Sequence, residues 1–166
     1  DSFYPQSKQI YMLYGVDKQT GKKTEELPLI LARRLKQNFP EVIETTQIYA
    51  KYSSDFSYNE KRVPNPDEVF IDENFFSFFP RKVICGRQDN ILQSSNDVAI
   101  TRSFAVKLFS SPEKALDKVL SCGYEKNLRI VSVLEDAPDN SLFVGEAFEL
   151  DQYTRRAEVE IPEANQ

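Results

Sequence analysis

Apolar and polar residues follow several distinct rhythms along the chain, and each rhythm predicts an element. Residues 9–16 (QIYMLYGV) gather aromatic and β-branched side chains and run into the polar stretch 17–21, so a strand and a hairpin-like turn are expected. From Thr24 the spacing changes, because Leu27, Leu31, Leu35 and Phe39 recur every four residues along one helix face. Glu25 and Glu26 suit the positive end of that helix, Pro28 is tolerated in a first turn, and Pro40 bars continuation. Arg33, Arg34 and Lys36 lie near its C-terminal half, where cations are favoured, and read as a solvated face. Residues 42–52 (VIETTQIYAKY) lack Gly and Pro and predict a second strand, giving a βαβ-type start.

Residues 53–67 are polar, hold Pro64 and Pro66, and predict a hairpin or exposed loop before a short strand at 69–71. The segment from Asp72 to Pro80 places four Phe in five positions. Asp72 is expected to cap a short helix there, with most of the Phe in the core and one or two left for a partner or membrane surface. Residues 82–85 predict a strand ending at Gly86, and residues 97–100 (DVAI) a short buried strand. Thr101 is the expected N-cap of a helix over 102–109, whose Phe104, Ala105, Leu108 and Phe109 share one face. Ser111-Pro112-Glu113 starts a short turn through Leu116, and strands over 119–122 and 128–134 flank a polar turn. The tail 148–161 predicts one edge strand. Strands and helices mix without strict alternation, so the fold class is α+β, with mixed sheets, two main helices and βαβ-like units.

At 166 residues and 40% hydrophobic, with 20 Phe plus Tyr, the chain can bury a real core in one domain with room for two lobes. A net charge of −5 provides no general pull toward nucleic-acid phosphates or anionic lipid. The absence of His excludes Ser-His and Cys-His nucleophiles and His-containing zinc sites. No apolar run approaches the roughly 18 residues of a membrane span. The start at Asp1 suggests a segment excised from something longer. Cys85 and Cys122 lie outside any CxxC motif and read as independent small residues rather than one disulfide or a nucleophile. Glu135, Asp136 and Asp139 form an acidic cluster, but Glu-Asp-Ala-Pro-Asp-Asn-Ser is also an ordinary polar turn. Five Gly form no phosphate-cradling motif, and Ser94, Ser95, Ser110 and Ser111 sit in no GxSxG elbow.

Four ordered segments, over about nine tenths of the chain, resemble the extracytoplasmic core domain of MacB/FtsX-like ABC transporter permeases. Phe3-Tyr4-Pro5 with Ile10-Tyr11 is similar to the family's Phe-His-Pro and Ile-Tyr pattern, with Tyr4 in place of His. Asp72-Glu73-Asn74-Phe75-Phe76-Ser77-Phe78-Phe79 with downstream Gly86 resembles Asp-Pro-x-Phe-Phe-x-x-Phe and its later Gly. Val98-Ala99-Ile100-Thr101 into Ala105 and Lys107-Leu108-Phe109, then Lys114-Ala115-Leu116-Asp117-Lys118, resembles the Val-x-Ile-Ser strand and Ala-x-Lys-Leu-Phe helix. Ser110 and Asp117 stand where Gly is usual. Ile130-Val131-Ser132-Val133-Leu134 into Pro138-Asp139-Asn140-Ser141 is similar to the family's strand and Pro-x-Asn-Ser turn, with Ser132 in place of Gly and Leu142 of a frequent His.

The resemblance implies a loop between the first and second transmembrane helices, on the periplasmic face of the cytoplasmic membrane and anchored by flanking helices. It implies a cytoplasmic ABC ATPase as partner through the full-length permease, and a periplasmic protein partner or cargo. It carries over no catalytic, cofactor-binding or metal-binding residue, so none is assigned, and nucleic acid is not an expected partner. The strip from Phe75 to Phe79 and the loop 53–67 are the candidate contact surfaces. The competing expectation is a freestanding secreted ligand-binding protein or carboxylate-based hydrolase, which requires a deep pocket where acidic groups and aromatics converge.

Overall fold

The nine-residue strand over Lys126–Leu134 is the spine of the fold, described here by a computed structural model for residues 7–28, 30–52, 54–123, 126–138, 141 and 144–151. After a 3-10 turn at Ser7–Gln9 come β1 (Gly15–Val16), β2 (Lys23–Thr24), α1 (Leu31–Asn38), β3 (Ile48–Tyr52), β4 (Phe56–Tyr58), β5 (Lys61–Val63) and β6 (Glu68–Ile71). Next are α2 (Phe75–Phe78), β7 (Val83–Gly86), β8 (Asp97–Thr101), α3 (Arg102–Phe109), α4 (Pro112–Ala115), β9 (Val119–Cys122), β10 (Lys126–Leu134) and β11 (Ala147–Leu150).

β1 and β2 pair only with each other, while the main sheet runs β3-β6-β11-β8-β10-β9-β4-β5, with β7 also on β10. β10 lies parallel to β8 on one edge; on the other it pairs antiparallel with β9 first and β7 after. β11 is parallel to β6 and antiparallel to β8. A parallel neighbour requires a crossover connection, and α3 and α4 lie in the one between β8 and β10. The α+β class with mixed pairing is therefore the observed one.

Alternation along the strands divides the core between two faces. Val98, Ile100, Ala147, Leu128 and Ile130 meet Phe104, Ala105 and Leu108 of α3 and Phe56 of β4. Ala99, Phe148, Leu150 and Val131 face the other way, onto Phe75 and Phe79 beside α2. Each fully buried aromatic or aliphatic side chain contributes roughly 1.5–3 kcal/mol.

The caps explain where some helices start. Thr101 Oγ1 accepts the Phe104 N–H at 3.4 Å, so α3 begins where the sequence places it. Pro112 at the first position starts α4. The N-cap position of α2 is Asn74 rather than Asp72. The Asp72 carboxylate accepts from the Gln47 N–H (2.8 Å) and the Tyr49 hydroxyl (3.2 Å), tying the entry to β3 onto the end of β6.

Four further expectations are corrected. Of residues 9–16 only Gly15 and Val16 pair, and Tyr11, Met12, Leu13 and Tyr14 are exposed, with no strand or helix among the described residues paired to them. The helix expected from Thr24 begins at Leu31, since Pro28 biases Leu27 toward extended backbone and the first turn closes only with Leu31 N–H to Pro28 O at 2.9 Å. With β1 paired to β2 alone, the βαβ-type start does not form. The last strand is not an edge. All four residues of β11 are buried between β6 and β8, and residues 152–161 of that expected strand lie outside the described residues.

Candidate functional site

The two surfaces expected to make contacts behave differently. Phe75 and Phe79 are buried and Phe76 and Phe78 half-buried, packed ring against ring (Phe75 to Phe79 5.1 Å, Phe76 to Phe148 5.7 Å). The strip is a core anchor, because this single turn packs over the interior strands of the sheet, against Ala99, Val131 and Phe148. The 53–67 segment forms the β4–β5 hairpin, turned at Asn59 with φ 53° and braced by Asp55, which pairs with Arg62 and accepts the Asn65 N–H. Its tip faces α3 and α4 across an open concavity of about 850 Å³. Lys61 Nζ reaches over to the Leu108 carbonyl at 2.9 Å, while Tyr58 and Phe109 pack at 4.7 Å. Lys61, Lys114 and Lys118 together with Glu60 and Glu113 give its lining mixed charge.

The acidic pair Glu135–Asp136 serves the start of α3. Glu135 accepts both arms of Arg102 at 2.8 Å each, and Asp136 accepts the Ser103 N–H at 3.2 Å. The guanidinium of Arg102 holds the Glu135 carboxyl below its ordinary value. Asp139 lies outside the described residues. Cys85 and Cys122 are both free thiols.

A second acidic group went unmarked in the sequence. Glu68 on β6 and Glu149 on β11 are 1% and 0% exposed and lie on neighbouring parallel strands, diagonal to each other on the same face. Lys126 of β10 is paired with Glu149 Oε2 and rests over the Phe70 ring. Cys122, directly opposite Lys126 in the β9–β10 register, brings its Sγ to 3.8 Å from Glu68 Oε1. Burial, then the hydrogen-bonded Glu68, push the Glu149 carboxyl up, to about 8. Burial and the two glutamates likewise push the Cys122 thiol up to about 12. Ala-Phe-Glu-Leu reads as a half-exposed strand. The signal that could have marked the cluster is the shared parity of Glu68 and Glu149 within two otherwise apolar strands.

Exposed apolar surface gathers elsewhere. Of the large apolar side chains exposed among the described residues, eight of eleven fall between positions 11 and 48, with Tyr11 at 81% and Ile43 at 87%. α1 buries no residue at all. Among the described residues, no helix is long and apolar enough to cross a membrane.

The profile of the MacB-like periplasmic core domain matches residues 2–160. The chain belongs to this family. Among solved structures, a domain assigned to a permease protein from Porphyromonas gingivalis aligns with TM-score 0.63 and 19% identity, covering 80% of this chain and 58% of that one. The periplasmic region of MacB from Actinobacillus actinomycetemcomitans aligns at 0.61 and 17%, covering 82% and 62%. The extracellular domain of the ABC-type transporter YknZ from Gram-positive bacteria aligns at 0.50 and 18%, covering 69% and 58%. The chain thus spans about three fifths of the length of these relatives. No curated protein matches the sequence significantly.

As a MacB-like core domain, the chain uses the family's motif positions structurally. Gly86 has φ 98°, and a Cβ there would lie 2.4 Å from the Val131 carbonyl, so only glycine fits. The strand Val98 to Thr101 is central and wholly buried. Ser132, fully buried, donates to the Arg87 carbonyl at 2.7 Å beside that glycine. Ser141 is buried and its N–H reaches the Pro138 carbonyl at 2.9 Å; Asp139, Asn140 and the Phe3-Tyr4-Pro5 motif lie outside the described residues.

Proposed function

We propose that the chain is one extracytoplasmic domain, set between the first and second transmembrane helices of a MacB/FtsX-type ABC transporter permease and passing ATP-driven motion to a periplasmic partner or cargo. The family match over residues 2–160 carries this reading. ATP is bound and hydrolysed by a separate cytoplasmic ATPase domain or subunit, and the flanking helices hold the domain at the membrane. Efflux, lipoprotein release and control of a cell-wall hydrolase are the roles such motion would serve.

The build of the main sheet supports relay of motion. Two dense cores on opposite faces of one sheet resist continuous deformation, so a push on one end moves the whole body. The hairpin and α3–α4 concavity, braced by Lys61 and Asp55, stays exposed as a contact surface, whereas the Phe75 to Phe79 strip is packed into the core. Glu68 and Glu149, the buried carboxylates that come together among the described residues, have almost no exposed surface to offer a substrate.

Two measurements test the proposal. The reading frame around the chain should encode spans of about 20 apolar residues on both sides; a cleavable leader alone, with a stop soon after Gln166, would remove the permease reading. In the full-length protein in lipid bilayers, a spin label at exposed Lys114 should change its depth or inter-subunit distance between ATP-bound and nucleotide-free states. An unchanged distribution would leave the anchoring intact and sink the relay.

A further inference from the structure

The main sheet curls around the Glu68–Glu149 face. Three strand spacings of about 4.8 Å would separate β11 from β9 by about 14 Å in a flat sheet. Yet one side-chain atom from each of Glu68, Glu149 and Cys122 lies within 4.8 Å of the others, and all three residues are buried.

The carboxylates converge with unfilled capacity. Glu68 Oε2 and Glu149 Oε1 are buried and, apart from a proton the two carboxyls can share, have no hydrogen-bond donor, although the remaining oxygens are engaged, Glu68 Oε1 by the Cys122 thiol and Glu149 Oε2 by Lys126. A buried carboxylate oxygen without a partner is strongly disfavoured, so something positive belongs between them. We propose that Glu68, Glu149 and Cys122 bind one divalent transition-metal ion of the zinc type, with Lys126 as the outer partner that fixes the Glu149 carboxylate.

The donor set selects the ion. A thiolate with two carboxylates suits a borderline-soft, four-coordinate ion, whereas calcium takes about 6–8 oxygens and magnesium keeps a shell of water. Metal–sulfur and metal–oxygen bonds of about 2.3 and 2.0 Å place ligand atoms about 3.5 Å apart, so side-chain shifts of roughly 1 Å complete the site. A solvent molecule or the nearby Ser54 hydroxyl, which hydrogen-bonds Cys122, supplies the fourth position. Charge also balances: two carboxylates, a thiolate and the Lys126 ammonium carry −2, which a divalent ion cancels. The thiol proton, and any proton held between the carboxylates, leaves to solvent as the ion enters.

This proposal rests on the buried cluster alone and stands apart from the permease reading. The test titrates the reduced 166-residue chain with Co²⁺ and with Zn²⁺ against a chromophoric chelator. We expect one ion per chain, a thiolate-to-cobalt charge-transfer band, retention of both in Cys85→Ser, and loss of the band in Cys122→Ser. Glu149→Gln should weaken zinc at least about tenfold. A folded wild-type chain without the band, or a band that survives Cys122→Ser, overturns the site; the first result would leave a shared proton between the glutamates. If Cys122→Ser fails to fold, the cobalt spectrum of Cys85→Ser decides, because only one thiol then remains.

Discussion

Ser110 and Asp117 have φ of 71° and 61°, in the left-handed region where a β-carbon crowds the following carbonyl. They occupy the positions where glycine is usual in the pattern the sequence resembles. The chain retains the backbone turn and loses the residue that makes it easy. Ser110→Gly should therefore stabilise the C-terminal end of α3 by about 1 kcal/mol in chemical denaturation, an estimate limited by glycine's extra entropy in the unfolded chain. Gly86→Ala should do the opposite, with about 1–3 kcal/mol of backbone strain before the clash with Val131 is added. A neutral Gly86→Ala would show that β7 can shift off β10. Glu149 supplies a pH signature. In chelator-containing buffer its folded-state pKa, about 8, exceeds the ordinary 4.5, so the folded state holds a proton that the unfolded chain has released. Stability should fall as pH rises from about 4.5 through 8 and then level off, and Glu149→Gln should flatten that slope. A slope unchanged in the variant would assign the proton elsewhere.

Elements were legible in the sequence wherever local and tertiary signals agreed. The DVAI strand, the Thr101 cap and the α3 face combine strand propensity, a cap and an apolar face in one short stretch, and all three form as expected. The first 40 residues carry equally clear local patterns, but a strand needs a partner and an amphipathic helix needs a face to cover, and neither supply is local. β11 failed in the opposite direction. Its single charged residue, Glu149, reads as a solvent-facing position, and only the curl of the sheet hides it. The buried glutamates and Lys126 were invisible for the same reason: parity places side chains on a face but does not say whether that face is covered. α2 tests the assignment of the Phe strip to the core. Phe75, fully buried against Phe79, Phe76 and Phe148, should lose about 3–5 kcal/mol on Phe75→Ala, or roughly 10 °C in melting temperature at this size. Half-buried Phe78→Ala should lose less than half of that. Equal losses would mean that both rings are fully enclosed in solution.

At the scale of the whole molecule, the main sheet and its two cores occupy residues 48–150, while the segment before them carries most of the exposed apolar surface. The links between the two are few: Asp72 accepts the Gln47 N–H, Asn74 Nδ2 donates to the Thr45 carbonyl at 2.9 Å, and Ile10 packs against the core on the α2 face. A chain with many exposed apolar side chains tends to associate or to bind apolar probes, and a net charge of −5 opposes association without covering that surface. Replacing Tyr11 and Ile43 together by Ser should therefore lower binding of an apolar fluorescent dye and raise the protein concentration at which light scattering detects association. Because both side chains are more than four fifths exposed, each change should alter folding stability by less than about 0.5 kcal/mol. A drop of several degrees in melting temperature would instead show that these side chains pack against the chain in solution. Unchanged dye binding with unchanged stability would place the sticky surface elsewhere, with the open face beside the β4–β5 hairpin the next to substitute.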